Sequence, residues 1–290
     1  MSDHKILTGI EGKPNREANV SSYRPVSYDD QAAAYDQRVG FCERDCHQIA
    51  QAALSLAEAH PGDLVVEVGT GTGQIGRWFV REGYRYVGVD LSQGMLDIAR
   101  DRMPPYASSL LIQADGNRPW PIADAAAQVI FSSRAIHLLT LDHVVHEVFR
   151  IAKDTHAVLI IGRVQRQSNS IEVGMKHALR RLLHAHGVHG HDGAQNQTHL
   201  LESCCKHGAQ MLEPRVVSEW TVTKTPWQSI QQWQAKPGLG GVTLPGDLKQ
   251  EMLGKLEHWA ETTFHGLHQP VESEEKYVLH GVRLSPSRHS

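Results

Sequence analysis

The sequence predicts an α/β fold built on a doubly wound, mostly parallel sheet with helices on both faces. Between residues 61 and 164, short apolar runs alternate with amphipathic helical patterns. Such strict alternation is typical of a parallel sheet whose two faces are both covered. After residue 164 the pattern changes, and long polar, helical stretches separate two further strands. We therefore expect a compact sheet core with helical inserts near its C-terminal half.

Each element follows from its local pattern. Apolar runs bounded by turn residues predict seven strands, at 63–69, 84–90, 109–115, 126–133, 156–164, 214–224 and 276–284. Apolar residues that recur on one face predict the intervening helices, at 74–82, 92–103 and 141–152. Ser92 is a suitable N-cap for the second of these, because its side chain can accept a hydrogen bond from the first helical turn.

The chain divides into a tail and one domain. Residues 1–25 are polar and aperiodic, so we expect a mobile tail there. Residues 26–286 form the single domain, made of three kinds of segment: N-terminal helices (26–60), a ligand-binding core (61–164) and two inserts expected to cover the substrate (165–213 and 226–274).

The amino-acid composition limits which partners and which cellular compartment we expect. Hydrophobic residues make up 40% and charged residues 21%, as in soluble globular proteins. The net charge is −3 and no Lys/Arg block occurs, so we expect a small-molecule partner and no nucleic acid. No apolar stretch reaches the roughly 18 to 20 residues of a membrane span. Four cysteines without disulfide spacing and the lack of a signal sequence predict a cytoplasmic protein; the oligomeric state stays open.

The segment "VVEVGTGTGQIG", residues 65–76, is the strongest functional motif. A strand that runs into glycines and then a helix brings backbone N–H groups to one point with no side chains in the way. Gly71, Gly73 and Gly76 fit the dinucleotide pattern GxGxxG with an acid, Asp90, about twenty residues on. This weak match leaves an NAD(P)-dependent oxidoreductase open as an alternative.

Including Glu67 and Gly69, the segment resembles the first motif of the class I S-adenosylmethionine-dependent methyltransferases. The similarity is to the small-molecule branch that includes enzymes of ubiquinone and menaquinone biosynthesis. Four further segments resemble that branch in the right order: "YDDQAAAYD" (28–36), "GVDLSQGMLDIAR" (88–100), "QADGNRPWPIADAAAQVIFSSRAIHLL" (113–139) and "EVFRIAKDTHAVLIIGR" (147–163). One departure is Ala126-Ala127-Gln128, where the family usually carries Asp-aromatic-Asp.

The resemblance implies a Rossmann-like, seven-stranded sheet with an antiparallel last strand and a single methyltransferase domain. It also implies S-adenosylmethionine as cofactor and methyl transfer to an O, N or C atom of a small molecule. Asp90 would bind the ribose, since a carboxylate matches two adjacent hydroxyl donors, and Asp115 the adenine amino group. The full expected cofactor set is Tyr35, Glu67, Gly69, Thr70, Gly71, Gly73, Asp90, Leu91, Met95, Ala114, Asp115, Gly116 and Ser133. No metal site is expected, and a catalytically silent domain that binds the same cofactor remains possible.

A methyl group on a sulfonium is already activated, so the protein has to align the acceptor and, for O or N acceptors, remove a proton. His137 is the preferred base, and Arg134 and Tyr35 are further catalytic candidates. The histidine-rich stretch 184–199 could be a solvated loop, a substrate-facing base or a metal site, and its glycines favour the loop. The region 256–264 could be a lid wall or helix packing.

Overall fold

The computed structural model describes residues 41–105, 108–188, 193–236, 238–240 and 242–284. The predictions for the tail, for the start of the N-terminal helices near residue 26 and for Tyr35 lie outside these residues, whereas the described part of that helical segment contains the helix Glu43–Ala57. Within the described residues, no helix combines the length and the apolar content needed to cross a membrane.

The described chain contains eight α-helices and ten strands. The helices are α1 (Glu43–Ala57), α2 (Gly76–Arg81), α3 (Gln93–Arg102), α4 (Leu141–Ile151), α5 (Ile171–Ala185), α6 (Gly193–Lys206), α7 (Pro226–Gln234) and α8 (Gly246–Thr263). The strands are β1 (Leu64–Val68), β2 (Arg85–Asp90), β3 (Ser109–Gln113), β4 (Val129–Ser133), β5 (Val158–Arg166), β6 (Gln210–Met211), β7 (Arg215–Lys224), β8 (Gly238–Leu239), β9 (Val242–Thr243) and β10 (Val271–Arg283). A 3-10 helix covers Ile136–Leu138, and Ser92 caps α3 as predicted.

The main sheet has the order β3-β2-β1-β4-β5-β10, and both β6 and β7 pair with the outer side of β10. Strands β1 to β5 are parallel, whereas β10 runs antiparallel to β5. The predicted doubly wound fold is confirmed, but the sheet has eight strands, not seven. The extra strand arises because Leu212–Pro214 interrupt the pairing before β7, and proline cannot donate to a ladder.

Alternate residues of the central strands serve two separate apolar cores. Val65 and Phe131 belong to the cluster under α1 and α2, whereas Val66 and Ile130 belong to the cluster under α4 and α6. This two-sided burial explains why β1 and β4 read as continuous apolar runs. Since the parallel strands all end at the same edge, the loops that follow them converge there.

Helix α5 of the first predicted insert shares one apolar core with α7, α8 and the β8–β9 hairpin of the second, and we call this unit the lid after its expected role. Helix α6, which also lies within the first predicted insert, packs on the sheet instead. Leu256 is fully buried in that core. The rings of Trp259 and Phe264 pack against each other edge to face, with their centroids 5.7 Å apart. Residues 256–264 therefore serve helix packing. The last strand begins at Val271, so the second insert ends earlier than expected.

The histidine-rich stretch differs from the loop that its glycines predict. Helix α5 continues through His184 to Ala185, and His199 lies inside α6, which begins at Gly193. Gly187 has a φ of 71° just after α5, so its role is to end that helix. His189 and His191 lie outside the described residues.

Candidate active site

A cleft opens where strands β1 to β4 end. Its lining comes from the four strand ends and from the segments that follow them: Val68, Gly69 and Gly71 at the end of β1; Val89, Asp90, Leu91 and Met95 from the end of β2 into α3; Ala114, Asp115, Gly116 and Asn117 after β3; Ser133, Arg134, Ala135, Leu138 and Leu139 at the end of β4 and beyond it. Carboxylate and backbone groups on one side thus face aliphatic side chains on the other. A ligand with a flat ring and a polar sugar suits this combination.

The glycines after β1 are required for different reasons. Gly69 has a φ of 76°, and a Cβ there would lie 2.0 Å from the Cβ of Ala135, so the next loop packs directly on its backbone. Gly71 has a φ of 54°, and no atom lies within 4 Å of the place its Cβ would take. The open space beside Gly71 belongs to the cleft, so its bare backbone faces the ligand.

Asp90 connects the glycine loop to α3. One carboxylate oxygen accepts a hydrogen bond from the backbone N–H of Gly71 at 2.8 Å, and the other accepts one from the N–H of Ser92 at 3.0 Å. Asp90 therefore holds the glycine loop against the start of α3, and its carboxylate lines the cleft at the end of β2.

Asn117 organises the far end of the cleft. The carboxylate of Asp115 accepts a hydrogen bond from the N–H of Asn117 at 2.9 Å, and the side-chain oxygen of Asn117 accepts one from the N–H of Thr140 at 2.7 Å. Thr140 directly precedes α4. These two bonds tie the loop after β3 to the loop after β4, which fixes the width of the cleft.

A buried polar network supports the glycine loop from below. The hydroxyl of Tyr86 donates to a carboxyl oxygen of Glu67 at 2.6 Å, and the hydroxyls of Tyr86 and Thr70 lie 2.5 Å apart. Glu67 is 2% exposed. Burial raises the pKa of Glu67 to about 8, and the nearby charge of Asp90 adds to that effect. Glu67 therefore carries a proton at neutral pH.

Replacing Glu67 with glutamine should change how stability depends on pH. The folded protein binds a proton at Glu67 that the unfolded chain releases above about pH 4.5, so wild-type stability falls as the pH rises from about 4.5 to about 8. An amide keeps the acceptor for Tyr86 but cannot ionise. We expect the melting temperature of Glu67→Gln, relative to wild type, to rise between pH 5 and pH 8.5. The exposed change Glu213→Gln is the control, and equal pH profiles for all three proteins would contradict this protonation state.

The structure gathers most of the expected cofactor residues at the cleft: Gly69, Gly71, Asp90, Leu91, Met95, Ala114, Asp115, Gly116 and Ser133. Three others do not line it. Glu67 and Thr70 face the interior because they bond to Tyr86. Gly73 faces α3, with its Cβ position 3.1 Å from the Cβ of Ala99. These three residues shape the loop from behind and are not part of the cleft lining.

The loop after β4 carries the catalytic candidates. Ser133 is hydrogen-bonded to the hydroxyl of Tyr277 at 2.6 Å. Arg134 lines the cleft and has a φ of 65°, a left-handed conformation that is strained for a residue with a side chain. His137 lies in the 3-10 helix and is not part of the cleft lining. Burial lowers the pKa of His137, and the positive charges of Arg134 and Lys176 lower it further, so its imidazole is neutral at pH 7.

Sequence reasoning missed several residues of the site. Tyr86 could have been found, because a tyrosine in a buried strand needs a hydrogen-bond partner and Glu67 is the acid of the neighbouring strand. Leu138 and Leu139 lie in the "SSRAIHLL" motif, but only the loop geometry shows that they face the cleft. Among the described residues, no group of three or more His, Cys, Asp or Glu side chains is arranged to hold a metal ion.

Comparisons with known proteins agree with this geometry. A family model for the methyltransferase domain matches residues 65–155. Malonyl-[acyl-carrier protein] O-methyltransferase of Serratia marcescens is 28% identical over 155 residues, which are 53% of this chain and 55% of that protein. Demethylmenaquinone methyltransferase of Thermobifida fusca is 29% identical over 107 residues, 36% of this chain and 44% of that protein. The chain thus spans about half the length of the curated relatives it matches.

Solved structures share the fold. A Bacillus halodurans protein assigned as a methyltransferase aligns with a TM-score of 0.54 at 15% identity, over 81% of this chain and 98% of that one. The YcgJ protein of Bacillus subtilis aligns with a TM-score of 0.51 at 16% identity, over 84% and 100%. The residues present also fit the cofactor, since Asp90 suits its ribose and the space beside Gly71 admits its chain. The domain match over residues 65–155, the shared fold and the fit of the cleft residues together support a class I S-adenosylmethionine-dependent methyltransferase.

Proposed function

We propose that this chain binds S-adenosylmethionine in the cleft and transfers its methyl group to an O, N or C atom of a small molecule. The pairing of Asp90 with the backbone of Gly71 carries the proposal. It sets an ionised acceptor at the end of β2 directly beside a glycine backbone with empty space in front of it. A ligand that carries two adjacent hydroxyl groups and an amino-acid chain matches that arrangement.

In this proposal each of the four strand ends contacts a different part of the ligand. Asp90 accepts hydrogen bonds from the two ribose hydroxyls, and Leu91 and Met95 pack against the adenine ring. Asp115 accepts from the adenine amino group while Asn117 holds its loop in place. The backbone after β1 faces the methionine part. When bound, S-adenosylmethionine supplies a methyl group on a positively charged sulfur.

The loop after β4 and the lid form the acceptor side in this proposal. Arg134 lines the border of the cofactor cleft, and its strained, left-handed backbone sets the direction in which that loop leaves β4. His137 is neutral at pH 7, so it can accept a proton from an O–H or N–H acceptor. The lid begins shortly after β5 along the chain, and in this proposal it covers the bound acceptor and excludes water from it.

A ligand panel followed by a transfer assay tests the proposal. S-adenosylhomocysteine, the demethylated product, should raise the melting temperature of the protein by several degrees when present at a hundred times its Kd. NAD and NADP should not raise it. Radiolabelled methyl transfer to a panel of hydroxy, amino and carboxylic acids should then reveal an acceptor. Stabilisation by NAD or NADP but not by S-adenosylhomocysteine would contradict the proposal and favour the oxidoreductase, and binding without transfer to any acceptor would leave the silent binding domain as the alternative.

A further inference from the structure

Tyr277 of the last strand, β10, carries a hydroxyl group into an apolar part of the core. The residue is fully buried and belongs to the apolar cluster under α1 and α2. The ring of Phe41 packs against it edge to face, with the centroids 5.1 Å apart. A phenylalanine would fill this space without a polar group. The hydroxyl of Tyr277 therefore requires a hydrogen-bond partner, because an unpaired one would destabilise the fold.

Strand β5 lies between β10 and β4 and leaves room for this hydroxyl. A Cβ at Gly162 of β5 would lie 1.9 Å from the hydroxyl oxygen of Tyr277. Gly162 is also the residue that pairs with Ser133 of β4. The side chain of Tyr277 thus crosses the backbone of β5 at the glycine and reaches Ser133, whose hydroxyl lies 2.6 Å away.

The hydroxyl of Tyr277 is the donor in this pair. Among the described residues, Ser133 is its hydrogen-bond partner. Burial raises the pKa of Tyr277 well above its ordinary value, and the nearby positive charge of Arg134 offsets this only in part, so the hydroxyl keeps its proton. A buried O–H group is expected to have an acceptor, so that proton points to the oxygen of Ser133. The hydroxyl of Ser133 must then direct its own proton elsewhere.

The cleft is the open direction for that proton. Ser133 is half-buried, lines the cleft at the end of β4 and forms no other hydrogen bond within the described residues. Arg134, the next residue, lines the cleft too. Ala135 then packs against the backbone of Gly69. A hydroxyl donor and a positively charged residue therefore lie beside the start of the glycine loop, and together they suit a carboxylate.

We propose that Tyr277 is a positioning residue that holds the hydroxyl of Ser133 as a donor to the carboxylate of the methionine part of the bound cofactor. This inference rests on the proposed function, in which the methionine part faces the backbone after β1. Tyr277 itself touches no ligand, since it is fully buried. Its effect on binding passes through Ser133 and concerns one end of the ligand only.

Two ligands that differ by one group test this assignment. S-adenosylhomocysteine carries the carboxylate, whereas its decarboxylated analogue keeps the adenosine, the sulfur and the amino group. Calorimetric titration gives the Kd of each. A hydrogen bond to a charged group is strong enough that Ser133→Ala should weaken the binding of S-adenosylhomocysteine about tenfold. Tyr277→Phe leaves the serine in place but free to rotate, so it should cost roughly threefold. Neither variant should change the binding of the decarboxylated analogue.

A double variant and a matched control separate positioning from a general structural effect. Because Tyr277 acts through Ser133, adding Tyr277→Phe to Ser133→Ala should cause no further loss of affinity for S-adenosylhomocysteine. Tyr84→Phe is the control, since Tyr84 is another buried tyrosine, whose hydroxyl donates to the carbonyl of Ala59 at 2.9 Å and which is not part of the cleft lining. It should bind both ligands like the wild type.

Losses that add up in the double variant would overturn the positioning role, as would equal losses for the two ligands. The proposed function fails in a different way. If the wild type binds S-adenosylhomocysteine and Asp90→Ala does not, while the variants of Ser133 and Tyr277 keep full affinity, only the positioning role is wrong. If the wild type does not bind S-adenosylhomocysteine, the proposed function is wrong and this inference falls with it.

Discussion

Replacing Asp90 with alanine is expected to weaken the binding of S-adenosylhomocysteine at least 100-fold. Each hydrogen bond to a charged carboxylate contributes about 1.5 to 3 kcal/mol, and two ribose hydroxyls would lose theirs. A factor of ten in affinity corresponds to about 1.4 kcal/mol, so 100-fold is the low end. The substitution also frees the N–H of Gly71, which loosens the loop that faces the ligand. Calorimetric titration measures the effect directly.

Two variants separate binding from folding in this experiment. Asp90→Asn keeps the shape and one acceptor oxygen, so it should lose less affinity than alanine at a nearly unchanged melting temperature. Asp97→Ala removes an exposed carboxylate of α3 that pairs with Arg100, and it should bind like the wild type. Full affinity in Asp90→Ala would mean that the cofactor lies elsewhere.

Replacing Gly76 with alanine should destabilise the protein by about 3 kcal/mol, as expected for a methyl group forced into a packed core. The added Cβ would lie 2.2 Å from the hydroxyl oxygen of Tyr86 and 2.8 Å from a carboxyl oxygen of Glu67. Neither group can retreat, because both are buried and bonded to each other. The strain therefore breaks the network below the glycine loop. Urea unfolding measures the free-energy change.

Gly254→Ala is the matched control, since Gly254 lies on the exposed side of α8 with no atom within 4 Å of its Cβ position. Alanine in a helix interior should stabilise the protein there by about 1 kcal/mol. The double change Gly76→Ala with Tyr86→Phe should cost less than the sum of the single changes, because it removes the closest atom. Strict additivity would contradict the proposed contact.

The sequence was sufficient to predict much of the lining of the cleft. Its parallel strands are short and apolar, and Glu67, Gly69, Gly71 and Asp90 follow a local pattern whose chemistry does not depend on distant contacts. Since strand ends converge at one edge of a parallel sheet, Ser133 could be added from its position, and Asp115 from the family resemblance. The structure places Gly69, Gly71, Asp90, Asp115 and Ser133 in one cleft.

The contacts that join the two halves of the sheet could not be predicted, because they link segments far apart in the chain. The hydroxyls of Ser133 and Tyr277 lie 2.6 Å apart, yet the two residues are separated by more than a hundred positions and Tyr277 reads as an ordinary aromatic position in a strand. Only the antiparallel pairing of β5 with β10 brings them together. The helical state of His184 and His199 was also missed, since glycines in the stretch favour a loop until packing in the lid overrides that preference.

The lid has an apolar core of its own that shares no residue with the two cores of the sheet. It is joined to the strands in part by ion pairs, in which Glu172 of α5 meets Arg166 and Lys224. We therefore expect that exchanging this cap for that of a related protein would leave the cleft at the strand ends intact.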